Sequence, residues 1–184
     1  VQVRPQAGED VAAQHPLEPL TEDEFRVTAT VLRRDRELGD TWRFASIELQ
    51  EPPKADVKAW APGDPVPRLA HAVLWNRTDN QAWDGLVDLT AEKVASWTHL
   101  PGVTPNFTVD ELYECDETMR QHPDVIAALA RRGITDLSLV LVDVWTYGHL
   151  LIPEQWRDRR IGWCDLWIRK TPEGNPFAHP ISGI

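Results

Sequence analysis

Cysteine is nearly missing from this chain of 184 residues: Cys115 and Cys164 are the only two. Two cysteines cannot build the disulfide framework of a small secreted domain. Both read as buried free thiols, Cys115 on a helix and Cys164 on a strand. No run of 18 apolar residues occurs, so no helix of the length a bilayer needs is encoded. Basic charge is scarce: 19 Lys and Arg stand against 29 Asp and Glu, a net charge of −10. That balance lacks the basic face that displaces counterions from nucleic acid or binds an anionic membrane surface. The start of the chain, Val1 to Asp10, has no apolar core and is not a signal peptide. The expectation is a cytoplasmic protein without a nucleic-acid or membrane partner. The first residue is Val1 rather than Met, which leaves room for a removed leader.

Recognisable chemistry is equally scarce. Six histidines occur, His15, His71, His99, His122, His149 and His179, with no His-x-His and no pair four residues apart. A metal site needs several convergent donors. There is no glycine-rich phosphate loop and no Gly-x-Ser-x-Gly elbow. The sequence therefore nominates no catalytic, cofactor-binding or metal residue. Asp84 and Asp88 share one strand face, where a solvated face is a better reading than a working carboxylate pair. The run Arg157-Asp158-Arg159-Arg160 is mixed in sign and reads as a solvated loop. Asn76-Arg77-Thr78 and Asn106-Phe107-Thr108 match the glycosylation pattern, a short motif that chance often supplies.

What the chain does have is a 42% hydrophobic fraction, enough for a real core, and nine tryptophans. Tryptophan buries large area, so the nine belong in cores or at domain contacts. One pattern occurs twice: a capped helix, a glycine stop, then strands. Residues 1–15 read as a flexible arm. Thr21 and Glu24 form a capping box, with Leu20 and Phe25 at the staple positions. Phe25, Ala29 and Leu32 continue at helical spacing, and Gly39 suits a left-handed stop. Strands are predicted over 42–49, 69–77, around 83–89 and over 94–100. In the first strand the alternation is imperfect, because Phe44 and Ile47 are both large and apolar. Residues 52–69 carry five prolines and read as loop with one helical turn through Val57 and Trp60.

Pro101 to Pro105 reads as a boundary, giving units of 16–102 and 103–184. Thr108 and Glu111 repeat the capping box, with Phe107 and Leu112 as staple. The helix breaks at His122-Pro123 and resumes to Gly133. Residues 137–145 predict a strand apolar on both faces, which demands cover on both. Residues 161–170 predict another strand. A final hairpin is expected by analogy with the first unit and is not found. Ile181 to Ile184 reads as the first residues of a further strand, and the chain as a piece of a longer polypeptide.

Four separated blocks carry a resemblance: Trp42 to Leu49, Val87 to Thr90, Arg132 to Trp145 and Asn175 to Ile184. In that order they resemble the copper amine oxidases over roughly residues 15–184. The match falls on the two small N-terminal domains of the family, N2-like for 16–102 and N3-like for 103–184. The resemblance implies an α+β fold of two tandem cystatin-like units, each a helix packed on an antiparallel sheet, the second lacking its last hairpin. It further implies a complete enzyme that oxidises primary amines to aldehydes, releasing ammonia and hydrogen peroxide. That enzyme would be a homodimer using copper and topaquinone, a quinone made from one of its own tyrosines. The machinery belongs to a C-terminal catalytic domain of the same polypeptide, the implied partner of this chain. The quinone precursor follows an Asn, whereas Tyr113 follows Leu112 and Tyr147 follows Thr146. This stretch is therefore expected to hold no copper and no quinone. The family's second small domain lines part of the amine entry channel. Phe177 falls where relatives carry an aromatic at that wall, and Trp145 is a second candidate; domain-interface packing is the competing reading for both. Two other functions compete: a free-standing cystatin-like scaffold, and a cystatin-type protease inhibitor. The inhibitor's Gln-x-Val-x-Gly run does not occur.

Overall fold

The computed structural model describes residues 15–148, 151–157 and 159–184. The expected arm lies outside them apart from His15, and so do His149 and Asp158. The chain divides between Pro101 and Gly102 into two compact units.

In the first unit, helix α1 (Glu22–Asp35) starts at the predicted box. Thr21 Oγ1 accepts from Glu24 N–H at 3.2 Å, and Glu24 Oε2 accepts from Thr21 N–H at 2.8 Å. Two orphan donors of the first turn are thereby satisfied. The buried stripe is Thr28, Val31 and Leu32, with Val27 beside it. Phe25 is 40% exposed and is not on it. The inward place in the first turn belongs to Glu24, and Phe25 stands one residue, about 100°, round the helix from it. Gly39 is not the left-handed stop either. Glu37 takes that conformation at φ 51°, and Leu38 N–H closes onto Arg33 O at 3.0 Å.

Strands β1 (Trp42–Leu49), β2 (Leu69–Asn76), β3 (Gln81–Asp88) and β4 (Lys93–Leu100) form one antiparallel meander in that order. A short helix, α2 (Lys54–Ala59), interrupts the proline-rich connection between β1 and β2. The pairing slips between Phe44 and Ser46. A bulge adds one residue and reverses the parity of the strand beyond it. Phe44 and Ile47 therefore both reach the core, which explains the irregular alternation of β1. The core joins Val31, Leu32 and Leu38 to Ala72, Leu74 and Val87. Each buried Val or Leu among them contributes about 1.5–3 kcal/mol on burial. At Gly85 an added Cβ would lie 3.0 Å from Leu32 Cδ2 and 3.1 Å from the Trp97 ring, so helix and sheet close there because a side chain is missing. Asn76 is committed to its turn, donating to Asp79 Oδ2 at 3.1 Å and accepting from Thr78 N–H at 3.1 Å.

In the second unit, α3 (Val109–Gln121) and α4 (Pro123–Ala130) meet at His122, whose ψ of 122° breaks the helix before Pro123. Gly133 takes the predicted left-handed stop at φ 76°. Leu112, at the second staple position, is exposed. The strand expected from residue 137 begins later. Asp136 Oδ1 accepts from the Ser138 N–H and hydroxyl, folding Leu137–Leu139 into a 3-10 turn, and β5 runs Val140–Thr146. Strand β6 (Gly162–Ile168) pairs with it antiparallel. On the far edge of β6, Ile168 N–H donates to His179 O at 2.9 Å and Ile181 N–H to Leu166 O at 2.8 Å. The meander thus continues into a third extended segment at residues 179–181. Val140, Val142 and Leu166 meet Leu129 in the core, with Met119, Val144, Cys164 and Ile181 around them.

Candidate functional site

Alternation along β5 and β6 sends Val140, Val142, Val144, Cys164 and Leu166 inward. It leaves Leu141, Asp143 and Trp145 on the other face, opposite Trp167, Asp165 and Trp163 respectively. Trp145 is 59% exposed and Trp163 56% exposed. The two-sided cover expected for this strand is therefore not supplied within the unit. Asp143 and Asp165 face each other directly, an arrangement that like charges disfavour. Each accepts from a neighbouring indole: Trp145 Nε1 donates to Asp143 Oδ2 at 3.2 Å, and Trp163 Nε1 to Asp165 Oδ1 at 2.7 Å. At the other end of the face Phe177, 53% exposed, packs edge-on against Trp167 with ring centroids 5.6 Å apart. Asn175 Oδ1 holds Phe177 by accepting its N–H at 2.9 Å. The Trp167 Nε1–H is buried without an acceptor among the described residues. The two candidates named from sequence thus sit at opposite ends of one aromatic face with paired carboxylates between them.

Behind that face lies a charge pair that sequence reading missed. Arg160, expected from its neighbours to lie in a solvated loop, has a side chain only 8% exposed. Its Nε donates to Glu111 Oε1, its Nη2 to Glu111 Oε2 at 2.9 Å and Asn106 O at 3.0 Å, and its Nη1 to Pro105 O at 3.0 Å. The guanidinium also stands 4.6 Å from the Phe107 ring centroid. The first unit repeats the arrangement. Arg68 Nε donates to Glu24 Oε1 at 2.7 Å, Nη2 to Glu24 Oε2 at 2.9 Å and Pro19 O at 3.0 Å, and Nη1 to Glu18 O at 2.7 Å. The Arg68 hydrogen bond holds the Glu24 carboxyl below its ordinary value against the opposing effect of burial. Each arginine precedes the second strand of its sheet, 44 or 49 residues from its glutamate, too far for any local pattern to show.

The described donors do not fit a copper centre. His15 Nδ1 accepts from Leu17 N–H, His99 meets Gln81, and His122 Nδ1 accepts from Asp124 N–H. His71 lies between Glu48 and Asp84, at 3.2 and 2.8 Å. Among the described residues no group of three or more His, Cys, Asp or Glu is arranged to hold a metal ion. The thiols are equally unsuited to attack. Burial, then the nearby Cys115 and Asp165, push Cys164 up to about 11, and burial also raises Cys115.

Comparison with known proteins decides the family. Residues 21–97 match the family described as AGAO-like N2 domain, and residues 110–184 match copper amine oxidase, N3 domain. The chain belongs to the copper amine oxidase family. Its two units are the N2 and N3 domains, in the α+β form expected of them. A primary amine oxidase of Arthrobacter sp. (strain P1) is 38% identical over 175 residues, covering 95% of this chain and 26% of that protein. Histamine oxidase of Arthrobacter globiformis is 29% identical, covering 94% of this chain and 25% of that protein. Copper amine oxidase 1 of Schizosaccharomyces pombe is 27% identical, covering 90% and 24%. The chain thus spans about a quarter of the length of these relatives.

Proposed function

We propose that this chain is the non-catalytic N-terminal part of a copper and topaquinone amine oxidase, and that its N3 domain forms part of the wall along which a primary amine reaches the reacting centre. The complete enzyme would convert the amine to an aldehyde, ammonia and hydrogen peroxide, as a homodimer. Its copper and quinone would be held by a C-terminal catalytic domain of the same polypeptide, the partner of this chain. The observation that carries the reading is the β5–β6 face. Large aromatic rings do not stay exposed beside carboxylates for the sake of their own unit's core. Aromatic walls suit the apolar part of an amine and attract its ammonium, and Asp143 and Asp165 supply opposite charge between the rings.

The test is Phe177→Ala in the complete oxidase, with kcat/KM measured across amines from methylamine to phenethylamine. The wall role predicts a changed ranking, on the order of tenfold between the smallest and largest amine, within what one or two pocket methylenes contribute. Identical relative rates would remove the channel role.

A further inference from the structure

The N2 domain carries a cavity of its own, remote in sequence from the aromatic face of N3. It has a volume of about 690 Å³ and lies between the outer face of the sheet and the proline-rich connection around α2. Leu69 and Leu86 come from β2 and β3, and Trp60 supplies an aromatic side. Pro16, Pro52, Pro53, Pro65 and Pro67 make up most of the remaining wall. That volume is within the usual range for a small-molecule site. Proline fixes its own φ, so a wall of five prolines is set before any ligand arrives and little ordering entropy is lost on binding.

The polar groups around this cavity have one sign. Glu51 and Asp56 line it with Gln50, and no lysine, arginine or histidine is among the described residues that line it. Lys54 and Lys58 of α2 are exposed and do not line it. On the same sheet face, His71 is the cross-strand partner of Leu86 and bridges the carboxylates of Glu48 and Asp84. Even a protonated His71 leaves that group one negative charge in excess. An apolar, aromatic-sided cavity with acidic surroundings selects against anions and offers little to a neutral polar molecule.

We propose that this N2 cavity is a binding site for a small organic cation with an apolar body, an arylalkylammonium, independent of the reacting centre. The apolar body fills the space over Leu69 and Leu86, and the cationic head meets Glu51 and Asp56. The proposal does not rest on the channel reading, since no residue of the cavity belongs to N3.

The probe is benzyltrimethylammonium, which has no N–H and cannot be oxidised as a primary amine; benzyl alcohol is its neutral counterpart. Each is titrated into the 184-residue chain by calorimetry and by two-dimensional NMR of the indole N–H signals. The expected result is saturable one-to-one binding of the cation that moves the Trp60 signal. Benzyl alcohol should bind at least tenfold more weakly. E51Q/D56N, two exposed positions that leave the fold intact, should weaken the cation at least tenfold. Leu86→Trp, which fills the cavity, should abolish binding. The proposal is overturned by the absence of saturable binding, by equal affinity for benzyl alcohol, or by affinity unchanged in both variants.

Discussion

The same clamp is built twice, on sheets that differ. In N2, Thr21 caps α1, Glu24 is the box partner, and Arg68 ties that glutamate to the carbonyls of Glu18 and Pro19. In N3, Thr108, Glu111 and Arg160 do the same with Pro105 and Asn106. The carbonyls stand three and two residues before the cap in both. The clamp fixes the entry into the helix and joins it to the second strand, a long-range contact that a capping box alone does not provide. The environments diverge. The Glu24 side chain is 19% exposed beside Arg68 at 7%, whereas Glu111 and Arg160 are at 9% and 8%. In N2 the outer sheet face carries a hydrogen-bonded His71 between two acids, while in N3 the outer face carries exposed tryptophans. One local device therefore serves both domains, and the outer face of the sheet is what distinguishes them.

The sharpest break in this comparison is removal of the arginines. Arg160→Met leaves the Glu111 carboxylate buried and unpaired, a loss of about 3–5 kcal/mol. Arg68→Met should cost less, because water reaches more of Glu24. Urea unfolding followed by tryptophan fluorescence measures both. Equal losses, or a smaller loss at Arg160, would contradict the ranking by burial. Second in size is Gly162→Ala. Its Cβ would stand 2.7 Å from Phe107 Cε2 and 3.0 Å from Cζ, pushing the ring that covers Arg160. Overpacking of this kind costs about 1–3 kcal/mol, and a melting temperature unchanged within a degree would show that the ring has room.

The smallest effect belongs to His71 and is confined to one pH window. Burial depresses this imidazole, but the hydrogen bonds to Asp84 and Glu48 outweigh it and leave the group above its ordinary 6.5. A raised value means that the stabilisation is complete below pH 6.5 and disappears as pH rises through the folded-state value. His71→Asn should therefore lower stability by about 1 kcal/mol at pH 6 and by little at pH 9. A difference between native and variant that stays constant across that range would contradict the assignment.

Most of the framework was legible in the chain. Both capping boxes, the stop at Gly133 and the break before Pro123 are local signals, and each lies where its residues indicate. The odd spacing of Phe44 and Ile47 announced a bulge without naming it. What could not be read depends on distance. Arg68 and Arg160 are ordinary arginines until folding brings each to its glutamate. Glu37 takes the left-handed turn although glycine stands two residues later. Periodicity marked β5 as apolar, yet it could not show that Leu137 and Leu139 leave the strand for a turn, nor that Trp145 stays exposed. Phe177 was named from the resemblance, and Trp145 from its place at the end of the two-faced strand. The clue that strand alternation did hold was Asp143 opposite a second acid, which becomes visible only once the β5–β6 register is known.

The central proposal, that the aromatic face of N3 lines the amine's path to the reacting centre, can be measured directly by comparing exposed aromatics of the two domains in the complete oxidase. Phe25 of N2 is 40% exposed, and Trp145 and Phe177 of N3 are 59% and 53% exposed. Each is replaced by Ala, and the ratio of kcat/KM for a bulky to a small primary amine is determined. The account predicts that W145A and F177A change this ratio while F25A leaves it at the native value. A ratio shifted equally by all three, or by F25A alone, would contradict it.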